Sequence, residues 1–188
     1  MSILFPTEEL KIRIYVLGLP NRFRNQNQIN SSPMSKYICT IDGLEKENVE
    51  IDQIDLNSQV FHFWYNRAIT RAEAACAMGH RKIISRAFED RVDFAFILED
   101  DAAIPTPQRL LNCVDFLKSE KPKLLMIAYS PQDVLLRRAK TIYQEQEFLR
   151  CMSTPQVTQS YALNKSAISA IYHSQNSRVL DSLACVST

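Results

Sequence analysis

Glycine is scarce in this chain, with 3 among 188 residues, at Gly18, Gly43 and Gly79. They are too few and too far apart for the GxGxxG dinucleotide fingerprint or the GxxxxGK[ST] phosphate loop. The GxSxG nucleophile elbow is missing as well. A nucleotide handled here has to be held by side chains and a metal, not by a glycine-rich backbone. Excess charge of one sign is also lacking: 22 basic and 21 acidic residues leave a net charge of +1, so no overall field draws nucleic acid. The denser basic groups, Arg22/Arg24 and Arg137/Arg138/Lys140, read as solvated faces. The cysteines (39, 76, 113, 151 and 185) are odd in number and widely spaced. No CxxC or Cys/His cluster suggests zinc. Without a leader-like N-terminus, the expectation is free thiols in a reducing cytoplasm. No run approaches the roughly 20 apolar residues of a membrane span, which leaves peripheral attachment open.

What the chain has is an ordinary globular balance, 46% hydrophobic and 23% charged, and one conspicuous segment, Phe94-Ala95-Phe96-Ile97-Leu98-Glu99-Asp100-Asp101-Ala102. A continuous apolar run reads as a strand buried on both faces. Three carboxylates gathered at its end repel one another, and folding alone gives little reason to put them there. Ligands of open α/β sheets bind at the carboxyl ends of strands. Mg²⁺-like cations take carboxylates together with substrate phosphates. The segment therefore points to a metal-phosphate site, set against the plainer reading of acids that close a strand.

Strands and helices alternate around it. Ile12 to Leu19 reads as a first strand, ended by Pro20-Asn21, with Arg22 and Arg24 just beyond its carboxyl end. Tyr37 to Ile41 reads as a second. Lys46 to Arg67, with Phe61, Phe63, Trp64 and Tyr65, is hard to assign, and core packing suits most of its aromatics. From Thr70 the spacing turns helical, with Thr70 and Glu73 forming a capping box; the helix runs to about Glu89. Cys76 is expected in the core. Gln108 to Lys118 is an amphipathic helix, and Leu124 to Ala128 is another buried strand. Ser130 to Arg150 has uncertain boundaries. Ser160 to Leu163 is a short strand, and Asn164 caps a helix over Lys165 to Ser174. This order implies an α/β fold with a mostly parallel central sheet flanked by helices, in a single domain over 1–188.

The run Ala72-Glu73-Ala74-Ala75-Cys76-Ala77-Met78-Gly79-His80, followed by Ile97-Leu98-Glu99-Asp100-Asp101-Ala102, resembles glycosyltransferase family 25. That family includes bacterial lipooligosaccharide galactosyltransferases and animal collagen galactosyltransferases. Its pattern is a G-E-x-G-C-x-x-S-H helix and then a strand ending L-E-D-D. Ile14 to Leu19 with Arg22 and Arg24, Ile41-Asp42-Gly43, Thr158 to Ala167 with Tyr161, and Val179-Leu180-Asp181 are similar to further family segments. The chain departs from the pattern at Ala72, Ala75 and Gly79, and it stops soon after Asp181, so a short or truncated member is expected.

The resemblance implies a GT-A-like nucleotide-sugar fold with Mn²⁺ or Mg²⁺ held on a diphosphate, and a UDP-sugar donor with galactose as the sugar. It also implies an inverting transfer to a lipooligosaccharide or other glycan acceptor, in the cytoplasm or at the inner membrane surface. On that reading Asp101 ligates the metal. Glu99 acts on the metal through water or contacts the ribose, and strand alternation turns Asp100 to the opposite face. Arg22 and Arg24 contact phosphate. His80 contacts phosphate or is a satisfied histidine near a helix end. Asp181 is the candidate general base, as an inverting displacement requires. Two other readings compete: a non-catalytic relative that kept the fold, and a different Mg²⁺-dependent phosphoryl-transfer enzyme. The second is disfavoured because the first strand carries no acid.

Overall fold

The computed structural model describes residues 10–20, 23, 26–50, 67–118, 121, 123–128, 136–143, 146–151 and 160–176. Among the described residues there are seven strands: β1 (Ile12–Gly18), β2 (Ile38–Asp42), β3 (Phe94–Glu99), β4 (Leu124–Ala128), β5 (Leu136–Tyr143), β6 (Gln146–Cys151) and β7 (Ser160–Asn164). The helices are α1 (Gln26–Ser31), α2 (Arg71–Glu89), α3 (Pro107–Leu117) and α4 (Lys165–Asn176). The uncertain stretch after β4 contains the β5–β6 hairpin.

The main sheet has the order β2-β1-β3-β7-β4. β1 pairs in parallel with both β2 and β3, with Leu17 opposite Glu99. β7 is antiparallel to β3 and to β4, with Tyr161 opposite Ile97. The architecture is the expected GT-A-like α/β arrangement, but the sheet is mixed, not mostly parallel in its pairings. An apolar strand buried on both faces carries no mark of direction, so β7 could not be oriented from its composition. β4 also departs from expectation. It lies at the sheet edge, and Leu124 to Ile127 are only half-buried.

The strand period of two divides the core into two layers. Ile14, Val16, Phe94, Phe96 and Leu98 face α1 and α3, where Ile29, Leu110, Val114 and Leu117 meet them. Tyr15, Leu17, Ala95, Ile97 and Tyr161 face α2 and α4, against Ile83, Ile84, Ala87, Ala167 and Ile168. Burying each such large side chain stabilises by about 1.5–3 kcal/mol, and twelve of the largest are almost wholly enclosed. Cys39, Cys76 and Cys113 are free thiols.

Local chemistry fixes the helix ends. The Glu73 backbone N–H donates to Thr70 Oγ1 at 3.2 Å, and the Thr70 N–H donates to Glu73 Oε2 at 2.9 Å. This is the expected capping box, reinforced by Arg67 donating to Glu73 Oε2 at 2.8 Å. Gly79 lets α2 lie close to β1, since a Cβ there would meet Leu17 Cδ2 at 2.8 Å. Asn164, itself buried, ties three segments together. Its Oδ1 accepts from the N–H groups of Ala167 and Lys123, both at 3.0 Å, and its amide donates to the Lys121 carbonyl at 2.7 Å.

Asn164→Ala removes the α4 cap and strands buried backbone groups, so the unfolding free energy should fall by about 2–4 kcal/mol in denaturant titrations. Asn164→Asp, which keeps the acceptor but not the amide donor, should fall between the two. The Glu73 carboxyl is lowered to about 2, held down first by Arg67 and then by the Thr70 N–H, against the opposing effect of burial. A carboxylate with a depressed folded pKa stabilises above its unfolded value of 4.5 and loses that contribution as pH falls through 2. The melting-temperature gap between the parent and Glu73→Gln should therefore narrow over that acidic window and stay constant above it.

Candidate functional site

β1, β2 and β3 run the same way, so Gly18, Asp42 and Glu99 end together at one edge of the sheet. The Gly43 N–H donates to the Gly18 carbonyl at 2.8 Å, closing the β1 and β2 ends. Because β7 runs the other way, its first residues, Ser160 and Tyr161, arrive at that same edge. The N-terminal half of α2 packs there too, carrying Cys76, Gly79 and His80.

The three acids separate as they leave β3. Glu99 lies on the α2 side, where its Oε1 is 3.6 Å from His80 Nε2. Asp100 turns to the opposite face, with its Cβ 3.1 Å from where a Gly18 Cβ would stand. The chain then turns, the Ala102 N–H donating to the Glu99 carbonyl at 2.9 Å, and Asp101 is exposed in that turn. Alternation along the strand thus distributes three adjacent carboxylates to three surroundings.

His80 is not near a helix end. It sits inside α2, 2% exposed, with Nδ1 3.0 Å from the Tyr161 hydroxyl. Among the described residues its Nε2 has no hydrogen-bond partner; at 3.6 Å the Glu99 carboxylate is an ion-pair contact and not a hydrogen bond. Burial opposes the imidazolium, but the Cys76 sulfur and the Glu99 carboxylate outweigh it and raise the His80 pKa to about 9. Burial, with Cys76 and Glu99 adding to it, pushes the Tyr161 hydroxyl far up, so it stays protonated.

Cys76 was expected in the core and is half-exposed instead. Its sulfur, a His80 ring nitrogen and a Glu99 oxygen all lie within 4.8 Å of one another. Sequence reasoning found no Cys/His cluster. The available signal was the one-turn spacing of Cys76 and His80, which a search for short cysteine motifs passes over.

The model of glycosyltransferase family 25, described as a lipopolysaccharide biosynthesis protein, matches residues 21–181. The chain belongs to glycosyltransferase family 25. No curated protein matches it. Membership makes the chain a glycosyltransferase of the lipopolysaccharide-biosynthesis type, so a nucleotide-sugar donor and a glycan acceptor follow from it. Of the residues expected to serve such a reaction, Glu99 and Asp101 lie at the carboxyl edge of the sheet, with His80 packed beneath Glu99. Arg22, Arg24 and Asp181, together with the aromatic cluster around Trp64, lie outside the described residues.

Tyr161 escaped sequence reasoning as a site residue because a tyrosine in a buried strand reads as core. Tyr161→Phe leaves His80 Nδ1 unpaired in the interior and should lower stability by about 1–3 kcal/mol, measured by equilibrium unfolding at neutral pH.

Proposed function

We propose that this family 25 member is a metal-dependent, inverting transferase that moves a hexose, galactose in the first instance, from a UDP-sugar to a lipooligosaccharide or related glycan. The observation that carries the reading is the Glu99-Asp100-Asp101 run at the carboxyl end of the central strand, where α/β sheets place their ligands. The donor set suits the group: Asp101, exposed beyond β3, offers the hard oxygen that Mn²⁺ or Mg²⁺ prefers. When bound, such a cation offsets the charge developing on the departing UDP. Asp101 is assigned to the metal. Glu99, with one oxygen turned towards His80, supports it through water or contacts the ribose. Arg22 and Arg24 are assigned to the diphosphate, and Asp181 to the acceptor hydroxyl as general base. The 188 residues act as one domain in the cytoplasm, in peripheral contact with the inner membrane where a lipid-linked acceptor would be presented. No helix among the described residues is long and apolar enough to cross a membrane.

A second reading has the protein binding nucleotide sugar without turnover. The departures at Ala72, Ala75 and Gly79 from the family pattern favour it.

UDP release should be measured with a panel of UDP-sugars and Mn²⁺, with and without glycan acceptors. Acceptor-dependent release, greatest with UDP-galactose, is expected. Asp101→Asn should abolish metal-dependent UDP binding while leaving the circular dichroism and melting temperature unchanged. Metal-dependent UDP binding without release would favour the second reading. The absence of both UDP binding and UDP release would overturn the first reading.

A further inference from the structure

The Cys76, His80 and Glu99 side chains form a grouping of which the proposed transfer reaction uses Glu99 alone. Cys76 and His80 stand one turn apart on α2, so their side chains rise on the same side of the helix. Glu99, the last residue of β3, meets them from the sheet. Their donor atoms fall within 4.8 Å of one another, and no other such grouping occurs among the described residues. Sulfur, imidazole nitrogen and carboxylate oxygen are the donors zinc takes, with ligands about 2.0–2.3 Å from the ion. Magnesium and manganese favour oxygen alone. The chemistry therefore differs from that of Asp101.

The second observation is independent of that proximity. The His80 side chain is 2% exposed, and its Nε2, with no hydrogen-bond partner among the described residues, faces the cluster. Leaving a buried polar atom unmet costs about 1–3 kcal/mol, an expense that a metal bond at that nitrogen would offset. The other ring nitrogen is already held, with Nδ1 3.0 Å from the Tyr161 hydroxyl. Metal-bound histidines are usually oriented in this way, through the nitrogen that does not bind the ion. Cys76 and Glu99 are partly exposed, so the cluster opens towards solvent and leaves room for a water as fourth ligand, as in three-ligand zinc sites. A tetrahedral ion sets its ligands roughly 3.5 Å apart, against the 4.8 Å within which these donors lie.

We propose that Cys76, His80 and Glu99 bind a zinc-class divalent cation that clamps α2 to the end of β3, at a site separate from the nucleotide-metal position at Asp101. Occupancy holds the Glu99 carboxylate on the α2 side and so fixes the first acid of the Glu99-Asp100-Asp101 run. The inference does not depend on the identity of the sugar or on turnover.

The test uses the full chain, stripped of metal with a chelator and titrated with Co²⁺. One equivalent should produce a thiolate-to-cobalt charge-transfer band and the visible absorption of a tetrahedral ion. Zn²⁺ should bleach both, and Mg²⁺ should leave them intact. Cys76→Ser should remove the charge-transfer band and weaken Co²⁺ binding at least about tenfold; Cys39→Ser should retain it. Asp101→Asn should also retain it, although the same variant should lose metal-dependent UDP binding, so failure here and failure of the transferase reading are separable. A parallel measurement needs no variant: Zn²⁺ should protect Cys76, mapped by mass spectrometry, from alkylation. The absence of a charge-transfer band in the parent protein, a band that survives Cys76→Ser, or alkylation of Cys76 unaffected by Zn²⁺ would overturn the proposal. A band lost in Asp101→Asn would overturn the separation of the two sites.

Discussion

The burial of β3 on both faces governs the carboxyl edge of this molecule. Phe94, Phe96 and Leu98 are enclosed by the α1/α3 layer, and Ala95 and Ile97 by the α2/α4 layer. With both faces occupied, a slip of one residue would exchange the two sets and expose neither to water without loss. The strand's alternation is therefore locked, and it continues past the last apolar residue. Glu99 must emerge towards α2 and Asp100 towards Gly18. Three neighbouring carboxylates that would repel one another as a cluster are separated by the packing of the strand that precedes them.

Two further contacts give that separation its chemistry. Gly79 allows α2 to approach Leu17, which brings the helix face bearing Cys76 and His80 close to the end of β3. Tyr161, arriving on the reversed strand β7, meets His80 Nδ1 and leaves Nε2 facing the carboxylate. The edge then carries two kinds of donor. Asp101 presents hard oxygen to solvent, and the pocket behind Glu99 combines sulfur, nitrogen and oxygen. Burial opposes the His80 imidazolium, and the neighbouring Cys76 sulfur and Glu99 carboxylate outweigh it and raise its pKa.

Much of the fold was legible because its signals are local. Thr70 and Glu73 lie within one helical turn, so their capping box follows from spacing alone and is present at both of its hydrogen bonds. Asn164 caps α4 for the same reason. The apolar runs of β1, β3 and β7 mark buried strands wherever the sheet places them. The direction of β7 was not legible, since antiparallel pairing with β3 and β4 leaves no trace in a strand buried on both sides. Nor was the half-exposure of β4, whose apolar run resembles that of a central strand and differs from one only in having an edge position. Cys76 and His80 were read singly, one as core and one as a phosphate contact or helix-end residue, because their shared partner Glu99 is distant in sequence.

By itself, the sequence determined most of the elements outside the β5–β6 hairpin, the presence of acids at the end of a buried strand and membership of a family of sugar transferases. Periodicity, capping and family pattern are all properties of residues read in order. Only the tertiary structure decided which acid faces which layer, that His80 is buried against Tyr161, and that Cys76, His80 and Glu99 form one cluster. Those outcomes depend on how α2 settles on β1 and on which way β7 enters the sheet. Both are set by the joint burial of side chains far apart in the chain, which no local pattern encodes.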